Sequence, residues 1–264
     1  MIRSALMTVM TAAATKAARG LKRDFGEVEN LQVSVKGPGD FVTAADRRSE
    51  KVLFEELSKA RPGYGFIMEE SGTVEGTDAS HTWHIDPLDG TTNFLHGVPL
   101  FAISIGLERE GQIVAGLIYN PATDDMFVAE KGQGAYLNNR RLRVSARREL
   151  ADSLVACGIP PLGKAKSHPL FKAELGVTLA SVGNLRRLGA AALDLAYVAA
   201  GRFDAYWERD MKSWDIAAGA LLIREAGGFV SDADGGPNFL QTNSICAGTE
   251  YVHRALLETL RKAR

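Results

Sequence analysis

Between residues 101 and 142 the chain is punctuated as a meander, and beyond about 145 its texture changes. Few folds accommodate both. Apolar runs at 101–107, 112–119, 126–129 and 134–137 are separated by Glu110-Gly111, Asn120-Pro121, Lys131-Gly132 and Asn138-Asn139, which are hairpin-closing pairs. They predict an antiparallel sheet. After it come strand 153–157, helix 168–180, strand 184–188, helix 190–200, strand 204–207, helix 215–226, strands 228–231 and 244–247, and a last helix from 250. Such alternation predicts an α/β-like second half. The chain therefore reads as α+β in two parts, 1–143 and 144–264. No flexible linker, repeat or low-complexity segment marks the boundary near Arg143.

Upstream, Ile2, Leu6, Val9, Met10, Ala13, Ala17 and Leu21 recur at helical spacing, while Thr8, Thr11 and Thr15 interrupt any secretory apolar core. An amphipathic helix ending near Gly20 is expected. Lys36 to Asp40 reads as a loop, and Thr43-Ala44-Ala45-Asp46 as the capped start of a second helix carrying Val52, Leu53 and Leu57 inward. Phe66-Ile67-Met68 is a short strand delivering Glu69 and Glu70, followed by a polar loop from Thr73 to Ser80. A net charge of −1 provides no global field to recruit nucleic acid, and no apolar run approaches the roughly 18 residues of a membrane span. Cys157 and Cys246 lie in apolar runs and read as buried free thiols of a cytoplasmic protein, a disulfide between them being the alternative.

The chemistry centres on Trp83-His84-Ile85-Asp86-Pro87-Leu88-Asp89-Gly90-Thr91-Thr92-Asn93. Two carboxylates leave a strand three residues apart across a proline that biases Asp86 toward extended geometry. Gly90 and two threonines then offer backbone N–H groups and hydroxyls to an anion. Paired carboxylates beside such a turn suit Mg²⁺ with phosphate oxygens. Each acid also has a plainer reading. Asp46 and Asp215 can be helix caps, Glu69 and Glu70 can face solvent, Glu208 can sit in a surface ion pair, and D-P-x-D-G can be a turn. His84 reads as a satisfied structural histidine.

Taken together, Asp46 in Val42-Thr43-Ala44-Ala45-Asp46, Glu69 in Glu69-Glu70-Ser71, the Trp83–Asn93 run, Trp214-Asp215-x-x-Ala218-Gly219 and Glu225-Ala226-Gly227-Gly228 resemble the inositol monophosphatase family of Mg²⁺-dependent, lithium-sensitive phosphatases. The resemblance spans nearly the whole chain. It implies a layered α-β-α-β-α sugar-phosphatase fold with a mainly antiparallel N-terminal sheet, and a homodimer. It also implies that Glu69, Asp86 and the Leu88 carbonyl hold one Mg²⁺ and that Asp86, Asp89 and Asp215 hold a second, with a third, weaker ion near Asp46 and Glu69. Asp46 and Thr91, helped by Glu69, would orient the attacking water. Gly90, Thr91 and Thr92 would contact phosphate, with Lys36 near the mouth of that site. Asp89, Glu208 and the run Gly189-Ala190-Ala191, through free backbone amides, would meet substrate hydroxyls. Ala190 stands where the family usually has Ser or Thr.

The function this implies is hydrolysis of a polyol phosphate monoester, myo-inositol 1-phosphate first. The alternatives are fructose 1,6-bisphosphate, histidinol phosphate or a 3′-phosphonucleotide as substrate, or a non-catalytic metal-binding regulatory protein of the same fold. Arg186 and Arg187 fit either acids across a dimer interface or a second substrate phosphate.

Overall fold

A computed structural model describes residues 4–27, 33–37 and 40–264, with side-chain surroundings for these except 33–42 and Ala165. In chain order the elements are α1 (Ala5–Phe25), β1 (Val33–Gly37), β2 (Asp40–Thr43), α2 (Ala44–Ala60), β3 (Tyr64–Met68), β4 (Gly72–Val74), β5 (Asp78–Asp89), α3 (Thr91–Leu95), β6 (Ala102–Arg109), β7 (Gln112–Asn120), β8 (Asp125–Glu130), β9 (Gly134–Leu137) and β10 (Arg140–Arg141). The second part contributes β11 (Leu154–Cys157), α4 (His168–Leu179), β12 (Asn184–Arg186), α5 (Ala191–Ala199), β13 (Ala205–Arg209), α6 (Ser213–Glu225), β14 (Phe229–Ser231), α7 (Phe239–Thr242), β15 (Ser244–Gly248) and α8 (Glu250–Arg261).

α1 and α2 pair and cover one face of an eight-stranded sheet ordered β10-β9-β8-β7-β6-β5-β3-β4. α1 starts at Ser4, whose hydroxyl accepts the Met7 N–H at 2.9 Å. It runs through Gly20, past the expected end, because Leu21 is buried and Lys22 and Arg23 favour the helix C-terminus. Thr43 and Asp46 form a reciprocal cap on α2, which buries Leu53 and Leu57. Ile2 and the Pro38-Gly39 part of the expected loop lie outside the described residues. Lys36 and Gly37 belong to β1, and Asp40 opens β2.

The meander from β6 to β9 is antiparallel as its punctuation predicts. Two features differ from the sequence expectation. β3 pairs with β5 in parallel, and the supposed loop at 73–80 contains part of exposed β4 and the start of β5. A short polar edge strand carries no hydrophobic alternation by which to recognise it.

The second sheet is ordered β12-β11-β13-β15-β14, its first three strands parallel and β15 antiparallel to both neighbours. α5 and α6 pack together between the two sheets, and α4 and α8 pair with α8 against the outer face of the second. The layering is thus α-β-α-β-α, as the resemblance implies. α6 comes very close to the first sheet: a Cβ on Gly116 would lie 2.8 Å from the Ala218 carbonyl oxygen, and one on Gly106 2.8 Å from the Ala217 Cβ. Ile118 and Phe127 share one buried cluster with Leu193 and Leu222, so that core contains residues from both sides of Arg143. No helix among the described residues is long and apolar enough to cross a membrane.

Both thiols are buried and free. Cys157 and Cys246 each lie opposite Trp207, on strands flanking β13. Two strand spacings of about 4.8 Å put them too far apart for a disulfide. Burial, with a smaller push from the Glu208 charge, raises the Cys157 thiol to about 12.

Candidate active site

β5 carries Asp86 and Asp89 at its C-terminal end, where its pairing with β6 is irregular: Asp86 stands opposite Ser104, but Asp89 opposite Ala102. Pro87 cannot donate to the ladder. Asp86 accepts the Leu88 N–H at 2.9 Å, and the Ser49 hydroxyl donates to the Pro87 carbonyl at 2.9 Å. The chain then turns through Gly90 at φ 88°, where a Cβ would also lie 2.9 Å from the Leu100 carbonyl oxygen. Thr91 has one hydroxyl proton and two acceptors, Asp46 Oδ1 and the Leu88 carbonyl, each at 3.1 Å. Asp46 uses its other oxygen to cap α2, accepting the Thr43 N–H at 2.8 Å. It is therefore both a cap and a site residue. Burial lifts it above the usual carboxylate range despite its Thr43 bonds.

Glu69 follows β3, and its N–H donates to the Ile85 carbonyl at 3.2 Å. Its side chain shares a hydrogen bond with Asp86. The turn is fixed by buried Glu50, which accepts the Glu70 N–H at 2.8 Å and the Ser71 hydroxyl at 2.5 Å. Sequence reasoning missed Glu50, although it lies one helical turn beyond Asp46 on the face that buries Leu53 and Leu57. Asp215 arrives on the first turn of α6 and accepts the Lys212 N–H at 2.7 Å, a capping role as well. His84 anchors that helix start: Nδ1 meets Ser213 Oγ at 2.8 Å and Nε2 meets Glu108 at 3.1 Å. The histidine is structural, as expected.

The four acids act on one another. Burial first, then Glu69, Asp89 and Asp215, pushes Asp86 well above the usual range. Burial and then Asp215 do the same to Asp89. Burial raises Asp215 to about 7, against its bond from Lys212. Asp86 and Asp89 are pushed up by burial and by neighbouring acids, a concentration of acids that a hard divalent cation would suit. The donors are all oxygens, carboxylates and the Leu88 carbonyl, which suits Mg²⁺ better than zinc. Among the described residues no three His, Cys, Asp or Glu side chains stand ready-made to hold an ion.

The substrate side departs further from expectation. Asp89 accepts the Ala191 and Ala192 N–H groups at 3.2 and 2.7 Å, so the Ala191 amide is committed and not free to face a polyol. Ala190 is buried, and its Cβ would lie only 3.1 Å from a Cβ on Gly90, so its side chain faces the core and not a substrate. Gly189 turns the chain at φ 84°. Asn93, missed as a site residue, donates to the Leu100 and Leu188 carbonyls at 2.7 and 2.9 Å and ties α3 to this loop. Thr92 is exposed, and the side chain of Lys36 lies outside the described residues.

Glu208 lies within β13, which continues to Arg209 instead of ending before it. It is not in a surface ion pair. Its partner is the Tyr206 hydroxyl, while Arg209 turns to Glu174 at 2.8 Å and Asp234 at 3.0 Å. Burial raises Glu208 above the carboxylate range, and the Tyr206 bond opposes this. The space it occupies exists because residue 158 is glycine: a Cβ there would fall 1.8 Å from the Glu208 carboxyl carbon. Arg187 lies close to Gly189 and to the charges of Asp194 and Glu208, whereas Arg186 bonds Asn184 and Leu185 on its own strand.

Known proteins resemble this chain over nearly its whole length. The family model described as "Inositol monophosphatase family" matches residues 3–264. An inositol-1-monophosphatase of Mesorhizobium japonicum is 62% identical over 262 residues, covering 99% of this chain and 98% of that protein. The Nus factor SuhB of Escherichia coli K12 is 42% identical over 257 residues, covering 97% and 96%. The crystal structure of the extragenic suppressor protein suhB from Bartonella henselae superposes with a TM-score of 0.95 at 56% identity, covering 98% of this chain and 99% of that one. With a family model that matches from residue 3 to the last residue and a relative 62% identical over 262 residues, the chain belongs to the inositol monophosphatase family.

Proposed function

We infer that this protein hydrolyses the phosphate monoester of a small polyol, myo-inositol 1-phosphate first, with Mg²⁺ as cofactor. The observation that carries the reading is the convergence of Glu69, Asp86, Asp89 and Asp215 beside the Asp46–Thr91 pair. Glu69, Asp86 and the Leu88 carbonyl would hold one ion and Asp86, Asp89 and Asp215 a second, with a third near Asp46 and Glu69. When bound, these ions would neutralise charge on the phosphoryl group and acidify a water. The protein's own part is placement. Thr91 would present oxygen lone pairs to a water while its own hydroxyl proton goes to Asp46, so that the pair orients the attacking water. Gly90, Thr91 and Thr92 would receive the phosphate, with Lys36 at the mouth. Gly189 and Glu208 would border the polyol.

Family-level expectations accompany this reading: lithium inhibition, a homodimer, and a cytoplasmic setting consistent with two free buried thiols. Li⁺ inhibits at fixed Mg²⁺, and a flat Li⁺ titration contradicts that part. The decisive experiment measures phosphate release, with Mg²⁺ or with a chelator, from inositol 1-phosphate, fructose 1,6-bisphosphate, histidinol phosphate and a 3′-phosphonucleotide. Metal-dependent release that is fastest from inositol 1-phosphate is expected. Release unaffected by the chelator, or faster from another ester, overturns the reading. The relative named a Nus factor is the ground for a second reading, a non-catalytic regulatory protein of the same fold, to which absence of release from every ester points.

Glu208→Gln tests the polyol side. It retains size but loses the charge assistance of hydrogen bonds to substrate hydroxyls, which costs about 1–3 kcal/mol in kcat/KM for inositol 1-phosphate. An aryl phosphate offers no hydroxyls there and loses much less. Equal losses on both would show that Glu208 serves the metal site or the fold.

A further inference from the structure

The inward face of α2 changes character along its length. Its buried positions include Asp46, Ser49 and Glu50 in the first two turns, then Leu53 and Leu57, spacings that share one face of a helix. Burying polar side chains costs stability unless each is hydrogen-bonded. All three are, and each reaches a different piece of the candidate site. Asp46 accepts the Thr91 hydroxyl at 3.1 Å. The Ser49 hydroxyl donates to the Pro87 carbonyl at 2.9 Å, in the bend that separates Asp86 from Asp89. Glu50, 3% exposed, accepts the Glu70 N–H at 2.8 Å on one carboxylate oxygen and the Ser71 hydroxyl at 2.5 Å on the other.

The Glu50 bonds fall where local packing is thinnest. Residues 69–71 join β3 to β4, a strand of three residues that is exposed throughout and forms the edge of its sheet. Such a segment has few buried contacts to hold it in place. On the β3 side Glu69 is pinned, its N–H donating to the Ile85 carbonyl at 3.2 Å. On the other side the Glu70 N–H and the Ser71 hydroxyl both go to Glu50. The Glu69 backbone is thus held between β5 and α2, and with it the direction from which its side chain meets Asp86. Because α2 also grips β5 at Pro87, one helix sets the separation between the segment of Glu69 and that of Asp86.

We propose that Glu50 is a positioning residue for the metal centre: α2, through Glu50 and Ser49, holds Glu69 and Asp86 at the separation a divalent cation needs. The proposal rests on the Mg²⁺-phosphatase reading above and deepens it. A ligand carboxylate whose backbone can drift must be ordered when the ion binds, so loss of Glu50 appears as loss of Mg²⁺ affinity. Two other roles compete. Glu50 as one more negative charge near the ions would act without regard to its hydrogen bonds, and Glu50 as a plain structural acid would affect stability alone.

The test is the Mg²⁺ dissociation constant of the full-length protein, read without substrate from the rise of the melting midpoint with Mg²⁺, together with KM for inositol 1-phosphate at saturating Mg²⁺. Glu50→Ala is expected to bind Mg²⁺ about 10- to 100-fold more weakly, the usual scale for removing a residue that orients a metal ligand, with KM near the wild-type value. Glu50→Gln restores most of that affinity, because its amide oxygen accepts the Glu70 N–H and its NH₂ donates to the Ser71 hydroxyl oxygen. A Gln variant no better than Ala shows that charge is what counts and overturns the positioning role. An Ala variant whose Mg²⁺-free midpoint falls while its Mg²⁺ affinity stays at wild type marks a plain structural acid and overturns it too. Ser71 is exposed, so Ser71→Ala keeps the fold and the Glu50 charge and carries the test if Glu50→Ala does not fold. Weaker Mg²⁺ binding is expected of it, and wild-type binding overturns the proposal. A wild type whose midpoint ignores Mg²⁺ brings down the metal reading itself, whereas variants that match a Mg²⁺-responsive wild type bring down the positioning role alone.

Discussion

Asp86→Asn yields a folded protein whose Mg²⁺-dependent phosphate release is lower by about a thousandfold or more. Asp86 lies within the influence of Glu69, Asp89 and Asp215, and on the proposed reading it would serve both ions. An amide is a poor ligand for a hard cation. Charge stabilisation by bound metal is worth several kcal/mol, and about 4 kcal/mol corresponds to that loss. Folding survives because the substitution removes a buried charge that repels three neighbours, while the amide oxygen can still accept the Leu88 N–H. Thermal melting with and without Mg²⁺ supplies an independent check. Mg²⁺ raises the wild-type midpoint by binding the native state, and the variant loses that rise. A variant with near-normal turnover, or with an undiminished Mg²⁺ shift, refutes the assignment.

Gly116→Val destabilises the protein by about 2–3 kcal/mol, and the melting midpoint falls by roughly 5–10 °C. Valine favours strands, so local propensity alone predicts a small gain. Packing decides otherwise, because the new Cβ would meet the α6 backbone, 2.8 Å from the Ala218 carbonyl oxygen and 3.0 Å from its Cα. A helix backbone cannot rotate away as a side chain can. α6 must shift, and Asp215 shifts with it, so the variant also requires more Mg²⁺ for half-maximal activity. Gly20→Ala is the contrast. No described residue lies within 4 Å of its Cβ position, and it sits inside α1. It raises stability by about 0.5–1 kcal/mol. A Gly116→Val midpoint equal to wild type would show that α6 is free to move off the sheet.

The meander and the alternation beyond it were legible because hairpin pairs and hydrophobic period are local signals. Asp86, Asp89 and the Asp46 cap were legible for the same reason. Strand alternation could also have corrected Glu208. Tyr206 is two residues back on the same face, whereas Arg209 points to the other face, so an ion pair with that neighbour was geometrically excluded. Other features depend on contacts between distant parts of the chain. Asp89 meets the amides of Ala191 and Ala192 more than 100 residues away, and no local pattern reveals that Ala190 packs toward Gly90. Glu50 belongs to no local motif, and its role depends on β3 bringing the Glu70 amide to it.

The middle pair of helices has a consequence for how such a protein can diversify. α5 and α6 are walls of both sheets at once, and α6 carries a candidate metal ligand where it meets the first. Neither half of the gene is therefore a portable module, since exchanging one would strip the other of its wall and the site of an acid. Inheritable change in specificity is restricted to the rim. There the segment from Ile159 to Ser167 meets the body through side chains such as Lys164 and Ser167 on Asp210. Substitution in that segment can retune what the protein accepts while the acids behind it remain untouched.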